Sequence, residues 1–132
     1  MTTTRTIGQL GDLNLQALYI KANEWLKDID GLEEEVGFFK NVFQRYFSEP
    51  GPEIAYRIRE VQSRLYDLDI RKHVVRSEIL NHLEVLKLLI KEFITQDEET
   101  LREQHATIEV RMKALDLSFK RFKTEIFDFI AD

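Results

Sequence analysis

From Leu15 to Tyr46 the apolar residues keep one rhythm. Leu15, Leu18, Ala22, Trp25, Ile29, Leu32, Val36, Phe39, Phe43 and Tyr46 follow one another at alternating steps of three and four. A helix turns once in 3.6 residues, so this spacing draws one apolar stripe down one side of a helix. A strand alternates by two and cannot produce it. The chain is therefore committed to a long helix whose stripe must be covered by other helices.

The prolines say where that helix ends. Both of them, Pro50 and Pro52, lie in the stretch YFSEPGPEIAYR, with Gly51 between them. Inside a helix a proline costs about 3 kcal/mol, because it lacks an N–H and clashes with the preceding turn. Pro50 stops the first helix, Gly51 allows a reversal, and Pro52 starts the second at a position whose N–H is not needed. The second seam runs through Ile54, Ile58, Val61, Leu65, Leu68, Lys72, Val75 and Ile79. It then shifts by one to Leu83, Leu86, Ile90 and Phe93, a stutter that locally unwinds a supercoil. Thr95 with Glu98 reads as a capping box opening a third helix. That helix carries Leu101, His105, Ile108, Met112, Leu115, Phe119, Phe122, Ile126 and Phe129.

The reading is all-α: an elongated up-down-up antiparallel three-helix bundle with coiled-coil-like heptad packing and helices at about 13–47, 53–94 and 96–131. Residues 1–11 form a threonine-rich flexible tail, Asp12 caps the first helix, and residues 12–132 are one domain. The alternative is a break near Asp30–Gly31, a turn signal that would give four helices. Trp25, Ile29, Leu32 and Val36 hold phase across it, which favours one continuous helix.

Charges beside the seams suggest a register. In a tight hairpin Arg71 faces Asp28 and Arg64 faces Glu35, while on the other edge of the second helix Asp69 faces Lys123 and Arg76 faces Asp116. Each exposed pair is worth tenths of a kcal/mol up to about 1.

Three long antiparallel helices with NEWLKD, and its Trp25–Leu26, in the first resemble a spectrin repeat. That family has a tryptophan in its third helix as well, and here there is none. The resemblance is one of architecture. It implies a scaffold or adaptor role and carries over no site residue.

Composition narrows the function. There is no cysteine, so thiolate metal sites, thiol nucleophiles and disulfides are excluded. The net charge of −5 argues against general nucleic-acid binding. The N-terminus lacks the apolar core of a signal peptide, and the most apolar run, Leu83 to Ile94, is too short and too charged for membrane insertion. A cytoplasmic location is expected. No catalytic or cofactor motif appears, so no enzyme activity and no cofactor are expected.

Four features remain as candidates. Tyr66, Ile70 and Val74 form a second apolar stripe away from the seam, and Val110, Ala114 and Leu117 form another on the third helix. Such faces mark association with another protein or with the chain itself as a homodimer. The bland alternative is that Ile7 and Leu10 of the tail cover them. His82 and His105, with Glu78 and Glu109 one turn away, can be drawn as a metal or small-ligand site. No Glu-x-x-His motif accompanies them, however. Lys72 is a charge at a core position, read as snorkelling to Asp69 or Asp28 rather than as a nucleophile. Arg64, Arg71, Lys72, Lys120, Arg121 and Lys123 form a basic cluster, with Asp28, Glu33, Glu34, Glu35, Asp69 and Asp116 near enough to neutralise it.

Overall fold

The computed structural model describes residues 14–46 and 51–131. They form three helices, α1 (Leu15–Tyr46), α2 (Pro52–Ile90) and α3 (Glu98–Ala131), and no strand. The three pack as an antiparallel bundle, with α2 against both neighbours. The backbones of α1 and α3 are joined mainly by large side chains. Trp25 lies 4.6 Å from the His105 ring, and Phe39 meets Phe122 edge-on at 5.3 Å.

The core is the seam. Ala22, Ile29, Val36, Leu65, Leu68, Ile79, Leu115, Phe119 and Ile126 are all buried. α1 is continuous through Asp30–Gly31, so the three-helix reading holds. Gly31 and Gly37 are exposed, and a Cβ added at either would meet nothing. The packing of Ile29 and Val36 outweighs the weak helix propensity of the glycines.

The helix ends depart from expectation. The tail, Asp12 and Pro50 lie outside the described residues. The side chain of Asn14 caps α1, its Oδ1 accepting from the Ala17 N–H at 3.0 Å. Pro52 opens α2 as expected. Gly51 before it has φ −64°, which any residue can adopt, so its flexibility is not what the turn uses there. The Thr95–Glu98 capping box is replaced by Asp97, whose Oδ2 accepts from the Thr100 N–H at 3.2 Å and its hydroxyl at 3.1 Å. Aspartate is the stronger cap, and it moves the start of α3 on to Glu98.

α2 stops at Ile90, short of the expected 94. The Phe93 N–H reaches Leu88 O at 2.9 Å and the Glu92 N–H reaches Leu89 O at 3.0 Å, the paired bonds of a Schellman stop. Phe93, expected on the seam, is therefore 71% exposed, and Ile54 at the other end of α2 is exposed as well. Burial also follows an unshifted heptad through Ile79, His82, Leu86 and Leu89, with Leu83 beside it. A seam traced through apolar residues alone jumps at His82 and invents the stutter.

The Schellman stop places Glu92 at φ 62°, in the left-handed region where a Cβ is strained. Glu92→Gly is expected to stabilise the protein by about 1 kcal/mol, read as a higher urea midpoint. An unchanged or lower midpoint would refute this account of the turn.

The charge pairs show how α2 sits between its neighbours. Asp69 faces Lys40 of α1 at 2.9 Å, and Arg76 faces Asp30 at 3.4 Å. On the opposite edge Arg64 pairs with Glu125 of α3, Arg71 donates to Ser118 Oγ at 3.1 Å, and Arg111 pairs with Glu78. All four expected pairs are thus corrected. The edge expected to meet α1 meets α3, and the edge expected to meet α3 meets α1. The α1–α2 register is also displaced by about one heptad from that of the tightest hairpin.

Candidate functional site

Lys72 occupies a seam position and is 1% exposed. Its Nζ lies 2.9 Å from Asp69 Oδ1, one turn earlier on α2, and 3.6 Å from Glu33 Oε1 on α1. The expected partner Asp69 is correct, while Asp28 is replaced by Glu33 through the register shift. Lys40 approaches the other Asp69 oxygen. Burial alone would raise the Asp69 carboxyl, but the hydrogen bonds and charges of Lys72 and Lys40 outweigh it and hold it below its ordinary value. A lysine amine hydrogen-bonded to a carboxylate in this way is tied into the packing and is a poor nucleophile.

His82 is buried between α2 and α3, and its Nε2 shares a hydrogen bond of 2.9 Å with His105 Nδ1. One ring donates and the other accepts, so the contact is made when at least one ring is neutral. His105 lies in turn against the indole of Trp25. Burial, helped by the charge of His105, lowers the His82 pKa to about 4. Burial lowers His105 too, with Glu109 opposing and Lys21 reinforcing the shift.

The two glutamates drawn into this site are separated. Glu78 lines a groove of about 440 Å³ with Asn81, His82, Glu103 and Gln104, and its Oε2 pairs with Arg111. Glu109 pairs with Lys113 at 3.1 Å and lines a different groove, between α1 and α3. Among the described residues no three histidine or carboxylate side chains gather as a metal would need. Sequence reasoning brought His82 and His105 together correctly. It missed Trp25 as their third member, because that residue was already spent on the seam.

The basic cluster is largely neutralised where it stands. Arg64 is held by Glu125, Lys120 by Asp116 at 3.0 Å, and Lys123 by Glu35 at 3.3 Å.

The second stripes remain on the surface. Tyr66, Ile70 and Val74 are 65%, 47% and 53% exposed, and Val110 and Leu117 are 64% and 49% exposed. Ala114 is exposed as well. The two stripes do not merge into one patch. The Arg64–Glu125, Arg71–Ser118 and Glu78–Arg111 contacts run between them along the α2–α3 seam. The last two of these contacts set Val74 level with Leu115, close in height to both Ala114 and Leu117. Phe38 and Phe127 are further exposed aromatics that the seam count passed over. Their off-seam positions were the available signal.

No protein-family model, curated protein or solved structure matches this chain. None of these comparisons supports the resemblance to a spectrin repeat. No described helix is long and apolar enough to cross a membrane.

Proposed function

We propose that this protein is a non-catalytic, cytoplasmic helical-bundle interaction module that associates with itself or with a partner helix through the outer faces of α2 and α3. The observation that carries this reading is the exposure of Tyr66, Ile70 and Val74 on a helix whose seam is already buried. The bundle core is complete without them. Three apolar side chains aligned at steps of four on the wet side of α2 lower the free energy only when something covers them. The absence of cysteine suits a reducing compartment.

Light scattering tests the proposal. The wild type is expected above its monomer mass of 15.7 kDa, and Ile70→Glu is expected to return it to the monomer. A monomeric wild type, or an oligomer indifferent to that charge, overturns the reading.

A second reading, a metal- or small-ligand-binding bundle, draws on the His82–His105 pair and on the buried Glu78 Oε1 atom that lacks a hydrogen-bond partner beside it. It has less support. The facing nitrogens of the two rings bond to each other, and Glu78 and Glu109 are each held by a cation.

A further inference from the structure

The outer face of α2 carries a symmetry that the reading above does not use. Ile70 stands at its centre. Tyr66 lies one turn before it and Val74 one turn after, while Ser63 and Ser77 lie two turns away on either side. We infer that the occupant of this face is the same face of a second copy, with the two α2 helices crossing antiparallel about a two-fold axis at Ile70. This rests on the interaction-module reading and names its partner.

A two-fold contact needs one self-complementary surface. Antiparallel pairing centred on Ile70 sets residues equally distant from it, before and after, at the same height. Ile70 meets the partner's Ile70. Tyr66 packs against the partner's Val74 and His73. Ser63 meets the partner's Ser77, and such small side chains let two helices approach closely. Toward the ends Glu60 stands level with the partner's Leu80, and Arg59 with the partner's Asn81. From Ser63 to Ser77 no charge on this face meets its like; Arg64 and the partner's Arg76 share a height, but they lie on the inner flanks, held by Glu125 and Asp30. Parallel pairing in register does the opposite, setting Arg59, Glu60, Asp67 and Glu84 each against its own copy. Like-charge contacts oppose association, so the charge pattern selects the antiparallel arrangement. The ends of α2 beyond this patch carry charge and limit the contact to a few turns, at the small end of specific interfaces.

The cysteine-free sequence makes the test clean. Helix axes about 8–10 Å apart bring the Cα atoms of two directly facing residues within disulfide range. Under mild oxidation Ile70→Cys is expected to form a covalent dimer at least about tenfold faster than Ser63→Cys alone. A mixture of Ser63→Cys and Ser77→Cys chains is expected to link to each other. If Ser63→Cys links to itself as fast as Ile70→Cys, or Leu117→Cys links faster than either, the antiparallel α2 pairing is wrong. A dimer that Ile70→Glu still dissociates would then leave the interaction-module reading standing. A monomeric wild type removes both.

Discussion

Asp69→Ala is expected to destabilise the protein by about 3 kcal/mol, although it removes one small, polar, partly exposed side chain. The cost falls on Lys72. Its side chain is 2% exposed, and its close partner is Asp69 at 2.9 Å. Glu33, at 3.6 Å and 54% exposed, is a weaker substitute. Removing one member of a buried pair leaves an uncompensated charge, at about 3–5 kcal/mol. The remaining contact with Glu33 places this case at the low end. Lys72→Met removes the charge instead and keeps the packed stem, leaving Asp69 with Lys40. That variant is expected within about 1 kcal/mol of wild type. Urea unfolding of the two variants decides the matter. If Asp69→Ala costs no more than an exposed ion pair, Lys72 is not the buried charge described above.

Acidification is expected to weaken the bundle from pH 6.5 downward, by about 3 kcal/mol by pH 4, through His82. Its pKa falls from 6.5 to about 4 on folding, so between these values the unfolded chain binds more protons than the folded one. Stability is therefore complete above pH 6.5 and is lost as pH falls through this window. His105 shifts in the same direction. The charges facing the pair are Lys21 from α1 and Glu109 from α3, and they pull His105 in opposite directions. Asp69 acts in a separate window. Its folded pKa lies below the ordinary 3.8, so its contribution is present above that value and is lost only as pH drops further. His82→Gln keeps a hydrogen-bonding group toward His105 and removes the titration. Urea midpoints followed from pH 7.5 to 4.5 should fall steeply for the wild type and much less for the variant. A flat wild-type profile would mean that His82 is solvated.

The two predictions draw on different kinds of legibility. Lys72 stood out in the sequence because a charge interrupted an apolar seam, and its structural role followed from that position. Asp69, one turn before it, was readable as its partner. Glu33 was not, since it depends on the α1–α2 register. The His82–His105 contact was half legible. Both residues were placed near their seams at similar heights, but only the packed helices turn His82 Nε2 toward His105 Nδ1 and set Trp25 against the second ring. The outer stripes were readable in full, because exposure of Ile70 follows from its angular distance to Leu65, Leu68 and Lys72 on one helix.

What the amino-acid order determined by itself is everything that depends on one helix at a time. It specified three long helices, a reversal before Pro52, the continuity of α1 through Gly31 and most residues of the core, Ile54, Phe93 and His82 excepted. These follow from local backbone preference and from a period of three and a half, both properties of a single segment. Tertiary structure decided which side of α2 each neighbour occupies. A bundle and its mirror arrangement bury the same stripes and differ only in whether Asp69 and Arg76 meet α1 or α3. Hydrophobic burial has no direction and cannot tell the two apart. The choice falls to the sum of weak edge contacts and to interhelix packing, where each pair contributes about 1 kcal/mol or less. That is why Arg64 was assigned to the wrong neighbour while Leu65, beside it, was placed correctly.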